Sequence, residues 1–148
     1  WLDVVERRYI DEVGAMNIAF VYGDREIRTP PLSGAILHGV TRDSVMRLAP
    51  DLGYTMNESR MGIDEVWRDI ENGTITEAFG MGTAAVIAPV GRLVMQGREV
   101  TLNNHQSGPV ARELYNVLTG IQYGRREDSY GWTTRVATNQ ISSSAAAD

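Results

Sequence analysis

The feature that most constrains the fold is an apolar run, residues 76–90, that carries Gly80, Gly82 and Thr83 near its middle. Gly80 and Gly82 are expected to form a tight turn with φ values that a Cβ would forbid, which leaves the N–H groups of Thr83 and Ala84 uncovered. The following residues, 84–90, predict a buried strand that holds the turn rigidly. Bare backbone and the Thr83 hydroxyl suit a phosphate oxygen. A bulge or turn without any ligand is the more common meaning of this pattern taken alone.

The rest of the chain predicts short strands and three helices. The predicted strands cover residues 9–13, 17–22, 26–29, 54–60, 93–95 and 100–102. Apolar stripes at helical spacing predict helices over 39–53, 64–72 and 109–124. Pro50 removes a helical N–H, so we expect the first helix to kink or end early there. Gln96 and Gly97 lie in the four-residue link of a predicted hairpin.

Composition excludes several classes of protein. A chain of 148 residues predicts one domain. The net charge of −5, with no basic cluster larger than an arginine pair, argues against a nucleic-acid partner. No apolar run is long enough to span a bilayer, and we expect no membrane association and a cytoplasmic location. Without cysteine there is no disulfide or thiolate metal site, and His38 and His105 lack metal-ligand spacing, so no metal is expected.

Two further stretches stand in order before the glycine-containing run. Residues 12–17 read Glu-Val-Gly-Ala-Met-Asn, and residues 29–44 read Thr-Pro-Pro-Leu-Ser-Gly-Ala-Ile-Leu-His-Gly-Val-Thr-Arg-Asp-Ser. With this spacing, the chain resembles the C-terminal part of a branched-chain amino-acid aminotransferase from residue 1 to about residue 132. That family uses pyridoxal 5'-phosphate. The resemblance implies an α+β fold, the C-terminal domain of the D-amino-acid-aminotransferase-like fold (fold type IV), with a barrel-like sheet and peripheral helices.

The resemblance also implies roles for particular residues. Glu12 occupies the position that pairs with the pyridine nitrogen of the cofactor, although a surface acid is the plain alternative. Val40 and Thr41 open a helix, and together with Thr83 they occupy the positions that bind the cofactor phosphate. A simple helix cap is the alternative for Thr41. Positions that face the substrate are Ala15, Thr83 and Ala84. The implied cofactor-binding domain is 1–136, and residues 137–148 are expected to be a disordered tail.

No lysine is present, because all fourteen basic residues are arginines. Pyridoxal-phosphate transamination needs a lysine amine for its Schiff base, so no catalytic residue can be named in this chain. We therefore expect a C-terminal fragment of a longer enzyme that is inactive alone and works with an upstream, lysine-bearing domain. The implied reaction moves amino groups between leucine, isoleucine or valine and 2-oxoglutarate. A homodimer is expected as well.

Some positions depart from the family pattern. Ala15 stands where many relatives carry threonine and others glycine, His38 replaces a proline, and a Cys-x-x-Cys pair found in some relatives is absent at Ala85 and Ala88. Two alternatives remain open. One is a sister enzyme of the same fold, a D-amino-acid aminotransferase or an aminodeoxychorismate lyase. The other is a noncatalytic remnant that serves as an assembly surface.

Overall fold

The computed structural model describes residues 1–136, and the predicted tail lies outside the described residues. The strands are β1 Glu12–Val13, β2 Met16–Tyr22, β3 Glu26–Thr29, β4 Thr55–Glu58, β5 Ile75–Gly82, β6 Val86–Pro89, β7 Arg92–Met95 and β8 Arg98–Thr101. The helices are α1 Val40–Asp51, α2 Ile63–Glu71 and α3 Pro109–Gln122, with a 3-10 turn at Asn103–His105. The predicted helices and strands are therefore present, with shifts at several ends.

β2 lies at the centre of a six-stranded sheet. The strands follow the order β4-β3-β2-β5-β6, while β1 pairs with the first part of β2. Every pairing is antiparallel except that of β3 with β4, which is parallel. Within residues 1–136 the hydrogen bonds connect these strands as an open path with β4 and β6 at its edges. β7 and β8 form a separate hairpin, whose turn residues Gln96 and Gly97 both have positive φ.

The two faces of the sheet pack against different helices because side chains alternate along each strand. On one face, Ala19 and Val21 join a core cluster with residues of α1 and α3. On the other face, Phe20 and Tyr22 join a cluster with residues of α2 and β8. Phe20 is fully buried, as expected for a central strand covered on both sides.

A buried carboxylate caps the N-terminus of α3. Glu77, on β5, is 5% exposed and accepts hydrogen bonds from the N–H groups of Val110 and Ala111, each at 3.0 Å. Those amides have no partner within the helix, and a negative charge also complements the helix dipole. Gly108 leaves room for Glu77, since a Cβ at Gly108 would collide with the carboxyl group. The sequence signal for this role of Glu77 is an acid within an apolar strand.

α1 ends early, as predicted. Pro50 lies in its last turn, and the helix ends at Asp51 rather than at Gly53. The predicted strand over 9–13 is shorter than expected, since only Glu12 and Val13 form a strand. Tyr9 and Ile10 each make a single bridge, to Gly62 and Leu2.

The prediction of a turn at Gly80 and Gly82 was wrong. Both glycines lie within β5, and neither has the positive φ that was expected. The turn is formed instead by residues 83–85, and the next strand begins at Val86, two residues later than predicted. Glycine is needed because the Met16 side chain crosses this part of β5. A Cβ at Gly80 would lie 2.8 Å from Met16 Cε, and one at Gly82 would lie 2.7 Å from Met16 Cγ.

We expect Gly82→Ala to destabilise the fold more than Gly80→Ala. The Cγ near Gly82 is close to the Met16 backbone and yields little, whereas the Cε near Gly80 ends a flexible side chain. Overpacking of this kind costs about 1–3 kcal/mol. Urea unfolding of both variants, each with and without Met16→Ala, measures the difference. Equal losses at the two glycines, or no recovery of Gly82→Ala by Met16→Ala, would contradict this account.

No helix within residues 1–136 has the length and apolar character needed to cross a membrane. In the same part of the chain, no group of three acidic or histidine side chains is placed to hold a metal ion.

Candidate functional site

Glu12 lies at the base of the β1–β2 hairpin, whose turn contains Gly14 with a positive φ of 60°. Its Oε1 accepts a hydrogen bond from the Leu37 N–H at 3.1 Å and one from Asn17 Nδ2 at 3.4 Å. Among residues 1–136 its Oε2 has no hydrogen-bond partner. Glu12 is half-buried. One oxygen is therefore held by the protein, and the other is available to a ligand.

Asn17 joins this carboxylate to the loop before α1. It pairs directly with Glu12 across the hairpin, and its Nδ2 also donates to the Leu37 carbonyl at 3.0 Å. Asn17 is 4% exposed. Asn17 was not among the predicted site residues. The available signal was a polar side chain next to an apolar strand, whose buried face needs hydrogen bonds.

The N-terminus of α1 faces the same region. Gly39 is the N-cap, and the first helical hydrogen bond runs from the Asp43 N–H to the Gly39 carbonyl at 3.0 Å. No side chain caps the helix. The amides of its first turn are thus available to an anion. Val40 is 80% exposed, whereas Thr41 is 8% exposed, and within residues 1–136 the Thr41 hydroxyl makes no hydrogen bond.

A cavity of about 60 Å³ brings these elements together. Thr83 reaches it from the turn after β5, and Ala15 reaches it from the turn of the β1–β2 hairpin. Ala84 is exposed and does not line it. The lining residues are Glu12, Ala15, Asn17, Leu37, Gly39, Val40, Thr41, Met81, Gly82 and Thr83. Every predicted site residue except Ala84 therefore lies at one cavity, although the segments are far apart in sequence.

The cavity wall offers two kinds of chemistry. At Glu12 there is an acceptor with negative charge, and at Thr41 and Thr83 there are hydroxyl donors close to helix amides. A ligand with a protonated nitrogen and a phosphate would meet both needs. The volume is well below the roughly 300–1,000 Å³ of ordinary ligand pockets. The cavity formed by residues 1–136 is by itself too small to enclose a ligand of that kind.

Arg42 stabilises the start of α1 through contacts with two other segments. Its side chain is 5% exposed, forms an ion pair with Glu58 and donates to the Pro30 carbonyl at 3.0 Å. These contacts tie α1 to β4 and to the loop after β3. Arg42 was not among the predicted site residues either. An arginine one residue after Thr41 gives no local indication that it is buried.

Comparison with known proteins gives the class of protein. The chain belongs to the family of class IV amino-transferases, whose model matches residues 2–93. It is 49% identical over 136 residues to a probable branched-chain-amino-acid aminotransferase of Staphylococcus epidermidis, covering 92% of this chain. It is also 49% identical over 137 residues to branched-chain-amino-acid aminotransferase 2 of Bacillus subtilis, covering 93% of this chain.

A solved structure agrees with the fold. The T.th. branched-chain amino acid aminotransferase, complexed with N-(5'-phosphopyridoxyl)-L-glutamate, superimposes with a TM-score of 0.72 at 35% sequence identity. The match covers 90% of this chain and 40% of that one. The predicted resemblance and the predicted α+β domain of fold type IV are confirmed. The chain spans 38% of the length of both curated relatives.

Proposed function

We propose that this chain is part of a pyridoxal-phosphate-dependent aminotransferase that moves amino groups between leucine, isoleucine or valine and 2-oxoglutarate. The observation that carries the proposal is the single cavity lined by Glu12, Ala15, Val40, Thr41 and Thr83. Similarity to branched-chain aminotransferases over 92% of the chain supports it. The T.th. relative bound to a phosphopyridoxyl compound supports the choice of cofactor.

Glu12 holds the ring-nitrogen end of the cofactor. A nearby carboxylate favours the protonated form of a nitrogen base, and the fixed Oε1 leaves Oε2 for this contact. When bound, pyridoxal 5'-phosphate supplies the electron sink for the reaction. The task of Glu12 is to keep the proton on the ring nitrogen and to orient the ring.

Val40, Thr41 and Thr83 hold the phosphate. The backbone amides of Val40 and Thr41 belong to an uncapped helix N-terminus, where the dipole favours a negative charge. The Thr41 and Thr83 hydroxyls add donors from two different elements. Backbone amides need no reorganisation to meet the anion, so the phosphate end of the cofactor is held by a rigid surface.

The substrate is contacted by Ala15, Thr83 and Ala84. Small side chains at the two alanines would leave space for it, and Thr83 is assigned to both the phosphate and the substrate. Ala84 is exposed outside the cavity, so its contact depends on the part of the site contributed from beyond these 148 residues. Ala15 offers no hydroxyl to the substrate.

The lysine comes from a polypeptide segment outside this chain, and residues 1–136 act as the cofactor-binding domain. Exposed apolar side chains that lie close together, as Leu37 and Val40 do at the cavity, support association with further polypeptide, because contiguous apolar surface marks interaction sites. Trp1 is 77% exposed and Val5 is 87% exposed, and Leu37 and Val40, next to the cavity, are 72% and 80% exposed. A homodimer of the complete enzyme is part of the same proposal.

The test combines a chemical trap with an activity assay. Protein that contains this chain is incubated with pyridoxal 5'-phosphate, reduced with borohydride to make the lysine–cofactor link permanent, and analysed by intact mass and peptide mapping. We expect the cofactor mass on a lysine outside residues 1–148. We also expect amino transfer from leucine, isoleucine and valine to 2-oxoglutarate only when that segment is present.

Substrate controls separate the alternatives. D-alanine as the preferred donor would indicate the D-amino-acid enzyme, and turnover of aminodeoxychorismate would indicate the lyase. A protein that contains the lysine-bearing segment, yet takes up no cofactor and transfers no amino group, would refute the proposed function. That result would favour the assembly role.

A further inference from the structure

Glu12 and the N-terminus of α1 come from distant segments, and one side chain connects them. Asn17 Nδ2 lies 3.4 Å from Glu12 Oε1 and 3.0 Å from the Leu37 carbonyl. The Leu37 N–H donates back to Glu12 Oε1 at 3.1 Å. The three groups form a closed ring of hydrogen bonds, and the chain reaches the N-cap Gly39 two residues later.

Because Asn17 is buried, loss of the hydrogen bonds in this ring would be costly. Asn17 is 4% exposed, so its amide cannot exchange these partners for water, and an unpaired buried amide is costly. Its Nδ2 carries two hydrogens and has two acceptors within reach, Glu12 Oε1 and the Leu37 carbonyl. Its Oδ1 packs against Gly39, where a Cβ would collide with it. The side chain therefore touches the carboxylate, the loop and the helix cap at once.

Asparagine suits this place better than aspartate. A second carboxylate beside Glu12 would repel its charge, whereas the neutral amide donates to Oε1 and leaves the charge on Glu12 intact. Because Oε1 is engaged twice, the carboxylate is held in one orientation. Oε2 then keeps a defined position relative to the start of α1.

We propose that Asn17 is a positioning residue, which sets the Glu12 carboxylate at a fixed place relative to the phosphate-binding start of α1. This inference rests on the proposed function. Asn17 acts through Glu12 and Leu37, so it shapes how the two ends of the cofactor are held together.

A double-mutant cycle tests it in protein that contains this chain together with the lysine-bearing segment. The variants are Asn17→Ala, Glu12→Gln and the pair, and the measurement is the dissociation constant of pyridoxal 5'-phosphate. We expect Asn17→Ala to weaken binding about tenfold, since hydrogen bonds to charged groups are worth this much or more. In the Glu12→Gln background the same change should weaken it less than about threefold. Equal effects in both backgrounds would overturn the inference.

Thr29→Val is the matched control for loss of structure. Thr29 is fully buried on β3 and donates to the Ile18 carbonyl at 2.7 Å, and among residues 1–136 it makes no hydrogen bond to Glu12. Loss of the Thr29 hydroxyl is expected to lower the midpoint temperature of unfolding, as Asn17→Ala is expected to do. The dissociation constant of the cofactor should stay within about twofold of that of the unchanged protein.

Asn17→Asp keeps the side-chain shape if Asn17→Ala does not fold. Because the new carboxylate would repel the charge on Glu12, this variant should weaken cofactor binding by more than about tenfold. In the Glu12→Gln background that repulsion is absent, so the same change should weaken binding less. A loss of the same size in both backgrounds would contradict the positioning role.

A cofactor-free readout separates the two proposals. Hydrogen exchange of the Leu37 amide reports the ring directly, and Asn17→Ala is expected to accelerate it about tenfold, while Thr29→Val leaves it unchanged. Unchanged exchange at Leu37 in Asn17→Ala would overturn the positioning role. If the unmodified protein does not bind the cofactor, the proposed function fails, and the exchange result still decides whether Asn17 orders this loop.

Discussion

Replacing Glu12 with alanine is expected to reduce amino transfer by the complete enzyme by a factor on the order of 10²–10³, the usual loss when one electrostatic contact to a reacting group is removed. The reason is that Glu12 is the carboxylate at the cavity that brings together Val40, Thr41 and Thr83. Under the proposed function, the protonated ring nitrogen of the cofactor would lose its counter-charge. The measurement is kcat for leucine with 2-oxoglutarate at saturating cofactor.

Two companion variants make the result specific. Glu12→Gln retains an oxygen that accepts the Leu37 N–H and removes only the charge, so most of the loss should persist. Asp11→Asn neutralises the neighbouring acid, which does not line the cavity, and should leave kcat within about twofold. Burial raises the pKa of Asp11, and the negative charge of Asp3 acts in the same direction. Equal losses at positions 11 and 12 would show that general charge near the hairpin matters rather than the placement of Glu12.

Glu77→Ala is expected to lower the free energy of unfolding by about 3 kcal/mol. The change removes two hydrogen bonds to a buried charged group, each worth about 1.5–3 kcal/mol, and it leaves two amides of α3 without a partner. It also removes a negative charge from the positive end of the helix dipole. Urea denaturation of the variant and of the unchanged protein measures the loss.

The control for this variant is Glu99→Ala. Glu99 is exposed and pairs with Arg92 at 3.3 Å, and such surface ion pairs contribute about 0–1 kcal/mol. Gly108→Ala tests the same contact from the helix, because the new Cβ would displace the Glu77 carboxyl group. We expect a loss similar to that of Glu77→Ala. Glu77→Ala with no greater effect than Glu99→Ala would show that α3 does not depend on this cap.

Local patterns were enough to place most helices and strands. The predicted segment 26–29 coincides with β3, and the predicted start of α3 at Pro109 is correct, because proline is preorganised for the first helical position. The failure at Gly80 and Gly82 has a tertiary cause. Those glycines are required by the Met16 side chain of a neighbouring strand, whereas the local sequence pattern indicates only a turn.

The residues of the candidate site also fall into two groups, those that the sequence indicates and those that only the structure reveals. Glu12, Val40, Thr41 and Thr83 were selected by motif, and the structure places them at one cavity, while their roles stay predictions. Asn17 and Arg42 were not selected. Their importance comes from burial and from partners in other segments, which no periodicity reveals. Ala84 was selected, yet it lies outside the cavity wall.

Residue types and their order along the chain establish the family resemblance, the absence of lysine and the segments that become helices and strands, since these depend on composition and short-range pattern. How the segments meet depends on packing. Cross-strand pairing puts Asn17 opposite Glu12, and the packing of α1 on the sheet brings Leu37 to both. The two contacts of Leu37 join residues that are 20 and 25 positions apart, so they exist only once the sheet has formed and the helix lies on its face.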